Sequence, residues 1–266
     1  MEQYGLGVIL YSFLNKEELS SPYYIISKYI LENMDSIKTY SITDLAEKCN
    51  VSTATISRFC RKVGLDSFFE LKMVIYNNYL TSKPQYTFKV FSDKNDSIYD
   101  SYLDSVIENI KILKNNIDFN LINELVDDLY AYKKISAFGA MHMENTALAL
   151  QSDLFRCRKI IDTRLSLPRQ IEYIKQSGKD NLIIIFTFSG KYIEESLIRA
   201  FDWQGNDKPK IYVVTSNKKV TELKYIDKTI VLPSSNHDFA AHPHGMNLIC
   251  SMISLKYYDK FVKKYI

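Results

Sequence analysis

Residues 41–65 read SITDLAEKCNVSTATISRFCRKVGL, and the spacing inside this stretch decides how the first third of the chain folds. Two short helices at about 43–48 and 53–63 are separated by a tight turn. Ala46 is small enough for a second helix to cross the first. Asn50 stands where the turn requires a positive φ, which Asn tolerates better than any residue except Gly. Ser52 is placed to cap the second helix just after Val51. On that helix Ile56, Phe59, Cys60 and Val63 recur at i, i+3, i+4 and i+7 and form an inward apolar face. The outward face holds Thr53, Ala54, Ser57, Arg58 and Arg61, all small, hydroxylic or basic.

An exposed face of that composition suits the major groove of DNA. Residues at the start of a recognition helix approach base edges, and Arg58 is the candidate for a bidentate grip on guanine or for a phosphate contact. Ser52, Thr53, Ser57, Arg61 and Lys62 are candidates for phosphates, which the helix N-terminus also attracts. Between Lys48 and Lys72 there are five basic and two acidic residues, whereas residues 1–80 hold 8 basic and 9 acidic. The positive charge is therefore local, as the whole-chain value of +3 also requires. Packing alone is the competing use for such a helix pair.

Working outward, Tyr24, Ile25, Tyr29, Ile30 and Met34 repeat at helical spacing and predict a helix over 22–34, with Pro22 suited to its first turn. A further helix is expected over 68–80. Residues 1–80 are thus expected to form one helical domain. Residues 81–97 include TSKPQYTFKVFSDKND, which is polar, aperiodic and Pro-containing, and read as a linker. From 98 to 266 the pattern changes. Amphipathic helices are expected over 98–115 and 120–131. Strands are expected at 134–138, 159–161, 182–188, 211–215 and 229–232, and a last helix over 246–265. Continuous apolar runs such as LIIIF mark strands covered on both faces, and their alternation with helices argues for one parallel sheet.

The chain has 266 residues, 46% of them apolar and 24% charged, enough for two globular domains. The N-terminus lacks a basic region and no apolar run approaches the ~18 residues of a membrane span, so a cytoplasmic protein is expected. Cys49, Cys60, Cys157 and Cys250 show no CxxC spacing and read as reduced thiols.

The core VS-x-ATISRFC-RK-GL, followed by Phe69 to Lys72, resembles the N-terminal domain of the RpiR family of bacterial regulators of sugar metabolism. That resemblance implies the layout read above: a helix-turn-helix bundle followed by an α/β sugar isomerase (SIS) domain, a five-stranded parallel αβα sandwich that senses a ligand and pairs subunits.

In parallel sheets, ligands sit beyond the carboxyl ends of the strands. There the run Thr187, Phe188, Ser189, Gly190, Lys191, Tyr192 leads from the most apolar strand into a helix. Its hydroxyls and backbone N–H groups suit a phosphate. It is similar to the family's S-x-S-G-x-T loop, with Tyr192 in place of Thr. A second loop starts at Gly139, but Met141 and Met143 stand where the family has Gly and Ser. Met supplies no hydroxyl and fills space. Thr215 and Ser216 form a third polar loop. Gly139, Thr187, Ser189, Gly190, Lys191, Thr215 and Ser216 are the candidate ligand residues. A sensor domain that only dimerises is the alternative. An isomerase would need a base such as Glu194, Glu195 or His142, and no arrangement of these compels one. His237, His242 and His244 lack the partners of a metal site, and a polar loop is the expectation there. Neither a metal nor a cofactor is implied. The expected partners are double-stranded palindromic operator DNA, a small phosphosugar, and a second copy or a dimer of dimers; no membrane and no enzymatic role are expected.

Overall fold

The computed structural model describes residues 5–77, 97–140, 142–203, 207–233 and 242–265. The chain divides into two units, residues 1–85 and 86–266. The expected linker lies almost wholly outside the described residues.

The first unit is helical. Its helices are α1 (Gly5–Lys16), α2 (Pro22–Glu32), α3 (Met34–Ile37), α4 (Ile42–Lys48), α5 (Thr53–Lys62) and α6 (Phe68–Ile75). α1 was not foreseen; it buries Leu6 and Leu10 in the same core as Ile26, Ile30, Leu45, Ile56, Phe59 and Leu71. Phe13 and Tyr23 lie against Phe59 with ring centroids 5.9 and 6.0 Å away. The helix expected over 22–34 stops at Glu32, where the Asn33 side chain turns back to donate to the Tyr29 carbonyl (2.8 Å).

The second unit opens with α7 (Ile98–Asn116) and α8 (Phe119–Ala131). It continues with β1 (Lys134–Phe138), α9 (His142–Arg156), α10 (Leu167–Gln176), β2 (Asn181–Phe186), β3 (Lys210–Thr215), β4 (Lys228–Val231) and α11 (His242–Tyr257). Shorter helical turns run over Tyr192–Leu197 and Ile198–Ala200 after β2, and from Tyr258 to Tyr265 at the end. All strands pair parallel in the order β1-β2-β3-β4, with Phe138 opposite Ile185 and Ile185 opposite Val213. Every residue of β2 is buried. Alternation sends Leu182, Ile184 and Phe186 to one layer, with α8, α9 and α11. Ile183 and Ile185 go to the other, with Ile174 of α10 and Ile193 and Leu197. Such two-sided burial, worth about 2–3 kcal/mol per large side chain, is what the LIIIF run requires.

The described residues form four strands rather than the expected five. The segment expected at 159–161 makes one bridge instead, Ser136 to Asp162, through Ala137 N–H to the Asp162 carbonyl (2.9 Å) and Asp162 N–H to the Ile135 carbonyl (2.8 Å). α9 ends in a left-handed Arg158 (φ 59). Lys159 N–H still bonds back to Leu154 (2.9 Å), and the Lys159 ammonium holds the Tyr132 carbonyl (2.8 Å). Too few residues remain extended for a ladder.

Candidate functional site

Two places answer the sequence expectations. The first is the surface of α5, built from its ends inward. Ser41 caps α4 in a reciprocal box: Asp44 N–H donates to Ser41 Oγ (3.1 Å) and Ser41 N–H to the Asp44 carboxylate (2.7 Å). The same backbone and side-chain hydrogen bonds hold the Asp44 carboxyl below its ordinary range. α4 ends at Asn50, whose φ is 52. Val51 N–H reaches back to the Ala46 carbonyl (2.9 Å) and Asn50 N–H to Glu47 (3.0 Å). This left-handed closure is the turn that sets α5 across α4. Ser52 then caps α5 by accepting from Thr55 N–H (3.1 Å). Gly64 (φ 83) closes the far end the same way, with Leu65 N–H on the Cys60 carbonyl (2.8 Å).

Ile56, Phe59, Cys60 and Val63 are buried, so the opposite side faces outward. Ala54, Arg58 and Arg61 lie at its centre with Thr53 and Lys62 on its edges, all exposed. Ser57 is half-buried and its hydroxyl donates to the Thr53 carbonyl (3.1 Å). The Arg58 guanidinium folds back along the helix toward the Ala54 carbonyl and the Thr55 hydroxyl, both at 3.4 Å. Contacts this long are weak and easily exchanged for a ligand acceptor. Lys72, although part of the local positive balance, is committed elsewhere. Its ammonium donates to the Tyr40 carbonyl (3.0 Å) and sits over the Phe68 ring. Thr55, which supports Arg58 and Ser52, was not singled out in the sequence. Burial pushes the Cys49 and Cys60 thiols up to about 11, which leaves both protonated and inert.

The second place is the switch point at the carboxyl ends of β1 and β2, where open parallel sheets form a crevice. The Asp162 bridge lies on one side of β1 and β2 on the other. Chain order therefore reverses between β1 and β2. In open parallel sheets that reversal is where ligands settle. The loops after these two strands are those that begin at Gly139 and Thr187. Gly139 is packed so closely that a Cβ there would come within 2.3 Å of the Met143 carbonyl. Gly190 has φ +85, and a Cβ would come within 2.7 Å of Val220. Thr187 Oγ1 accepts from Gly190 N–H (3.2 Å) and Ser189 Oγ from Lys191 N–H (3.4 Å). Each hydroxyl, having accepted from the backbone, retains a hydrogen to donate. Thr215 is fully buried; it donates to the Phe188 carbonyl (2.9 Å) and accepts from Asn217 N–H (3.1 Å). Its place is that of a fastener between the loops. Ser216, half-buried, joins the same region through its N–H on the Phe188 carbonyl (3.2 Å). Asn217 adds a bond from Nδ2 to the Ser189 carbonyl (2.7 Å).

One arrangement was not anticipated. Gln170, on α10 and 2% exposed, donates through Nε2 to the Gly139 carbonyl (3.3 Å) and to the Arg164 carbonyl. Its Oε1 accepts the Tyr192 hydroxyl. Burial, with the charge of Glu144 behind it, pushes the Tyr192 phenol well above its ordinary value. A Tyr192–Gln170–Gly139 chain thus ties the two crevice loops together. Its sequence signal was a glutamine on the apolar stripe of a helix, between Leu167 and Ile174.

Met141 and His237 lie outside the described residues, as do the side chains of Glu195 and His242. His142 and Glu194 are exposed. His244 Nε2 lies 2.9 Å from the Tyr102 hydroxyl. No group of three potential ligands is placed to hold a metal among the described residues, and no helix among them is long and apolar enough to cross a membrane.

Residues 14–82 match the helix-turn-helix domain of the rpiR family. The HTH-type transcriptional regulator HexR of Pseudomonas aeruginosa is 25% identical over 178 residues, 66% of this chain and 62% of its own length. The chain thus spans less than two thirds of that relative. The Vibrio vulnificus NanR protein, solved in complex with ManNAc-6P, matches 98% of this chain and 94% of its own at 19% identity and a TM-score of 0.52. The sugar isomerase domain of an RpiR transcription factor from Sphaerobacter thermophilus matches 61% of this chain and 92% of its own, at 11% identity and a TM-score of 0.50. At these identities the two structures speak for the fold.

Proposed function

We propose that this protein, which belongs through its N-terminal domain to the rpiR family of helix-turn-helix proteins, is a cytoplasmic regulator of carbohydrate-metabolism genes. It acts on palindromic operator DNA as a homodimer, and a phosphorylated sugar is its effector. The observation that carries the reading is the surface of α5: exposed Ala54, Arg58, Arg61 and Lys62 on a helix whose other side is wholly buried. Arg58 and the first turn at Thr53 and Ala54 meet base edges. Ser52, Ser57, Arg61 and Lys62 hold phosphates. In the crevice Thr187, Ser189, Gly190 and Lys191 take the phosphate, while Gly139, Thr215 and Ser216 shape its walls. The phosphosugar bound to NanR supports that ligand class, and the regulator HexR supports the role. No step of this role requires catalysis by the chain. The effector acts by favouring one of two dimer arrangements and so changing how two half-sites are met.

A second reading keeps the DNA-binding role and gives the sensor domain no ligand. The Tyr192–Gln170–Gly139 tie across the crevice favours it. A panel of phosphosugars in a thermal-shift assay separates the two. A ligand at 100 times its Kd adds about 2.7 kcal/mol of stability and changes operator affinity. No shift from any compound, with operator binding intact, supports the second reading.

A further inference from the structure

The two walls of the crevice differ in charge. The β2 side carries Lys191 and, beyond Asn217, the exposed Lys218 and Lys219. Asn217 fastens their turn to the Thr187–Lys191 loop through the Ser189 carbonyl (2.7 Å). The β1 side carries a carboxylate, that of Glu144, in the first turn of α9.

Geometry sets Glu144 at the crevice. It follows Met143, whose carbonyl lies so close to Gly139 that a Cβ there would come within 2.3 Å of it. Glu144, Leu148 and Gln151 share one half-buried side of α9. Gln151 Nε2 donates to the Ile161 carbonyl (2.8 Å), so this side leans over the segment that flanks β1. Glu144 lies about two turns nearer the carboxyl ends of the strands. Its charge also reaches the Tyr192 phenol, which Gln170 ties to the Gly139 carbonyl. Arg164, the cation on the adjoining segment, is held by Asp162 (3.3 Å) and lies over the Tyr173 ring.

This polarity bears on the non-phosphate end of a ligand. A phosphate held by the β2 loop leaves the rest of the skeleton to extend toward the β1 wall. An ionised carboxylate there is acceptor-only: it takes hydrogen bonds from sugar hydroxyls. It repels a second carboxylate, the more strongly because it is half-buried.

We propose that Glu144 selects the effector: the site takes a sugar phosphate whose skeleton carries hydroxyls and no carboxylate, and it turns away phosphorylated sugar acids. This rests on the phosphosugar reading above and narrows it. Discrimination comes from a built-in repulsion as much as from the hydroxyl contacts.

The test titrates the full chain by calorimetry with two matched pairs, glucose 6-phosphate against 6-phosphogluconate and glyceraldehyde 3-phosphate against 3-phosphoglycerate. Inorganic phosphate is the common reference. Within each pair the phosphate is shared and an aldehyde carbon is replaced by a carboxylate. The wild type binds the uncharged member roughly 10-fold or more tighter than the acid. Glu144→Gln keeps the shape and one acceptor oxygen, and it brings the ratio close to one, chiefly by tightening the acid. A merely structural Glu144 would weaken both members alike and leave the ratio unchanged. Acids bound by the wild type as tightly as their partners, or a ratio unmoved by Glu144→Gln, overturn the assignment. Binding of inorganic phosphate but of neither pair overturns it and leaves the anion loop standing. No binding of phosphate or of any probe overturns the effector reading itself.

Discussion

Removing one oxygen atom from the crevice, by Tyr192→Phe, measures what the tie between its loops is worth. The Tyr192 hydroxyl donates to Gln170 Oε1, and Gln170 is 2% exposed with both hydrogens of its amide committed to the carbonyls of Gly139 and Arg164. Phe fills the same volume but leaves a buried amide oxygen without a donor, at a cost of about 1–3 kcal/mol. For a domain of this size that is a fall of roughly 2–12 °C in melting temperature, read by calorimetry as the transition of the α/β unit. Gln170→Ala costs more, because two backbone carbonyls and the phenol lose their partner together. Adding Tyr192→Phe to Gln170→Ala costs little further, since the bond it removes is already gone. If the crevice admits a phosphosugar by opening this tie, Tyr192→Phe also tightens ligand binding by about 0.5–1.5 kcal/mol, or roughly 2- to 12-fold. An unchanged melting temperature for Tyr192→Phe, or full additivity in the double variant, would refute the tie.

Two further outcomes follow from the first unit. Asn50→Ala places a Cβ without Asn's local compensation at φ 52 and lowers stability by about 1 kcal/mol, while Asn50→Gly leaves it unchanged or slightly higher; hydrogen exchange at α4 and α5 reports both. The Asp44 carboxyl sits below its ordinary value of 3.8 because it accepts from Ser41, so its stabilising effect is present above that value and is lost as pH falls through the lower folded one. The stability advantage of the wild type over Asp44→Asn, measured by denaturation from about pH 5 down to about pH 3, therefore shrinks with acid; an advantage that grew would contradict the cap.

The helix-turn-helix was legible because its rules are local. Ser41, Asn50 and Ser52 act on backbone within a few residues of themselves, and the 56, 59, 60, 63 spacing names the buried side without help from the rest of the chain. The parallel sheet was legible because a strand covered on both faces can hold little but apolar residues. What escaped depends on distant partners. A strand at 159–161 has the right composition, but the left-handed Arg158 and the tethered Lys159 spend the residues a ladder needs. Thr215 reads as a ligand hydroxyl until Phe188 and Asn217 are seen to occupy it. Lys72 reads as surface charge until Tyr40, 32 residues away, takes it up. The Tyr192–Gln170–Gly139 chain joins three segments whose proximity only the sheet order creates.

Operator affinity measures whether the outer side of α5 reads DNA. An operator selected by the full chain from random duplexes is titrated by fluorescence anisotropy at several salt concentrations, with wild type, Arg58→Ala and Arg61→Ala. Arg58→Ala should lose about 1–3 kcal/mol, roughly 5- to 150-fold, and relax preference at one base pair. Arg61→Ala should weaken binding to all sequences alike and reduce the salt slope by about one. Affinity, sequence preference and salt slope all unchanged in both variants would contradict DNA reading by α5.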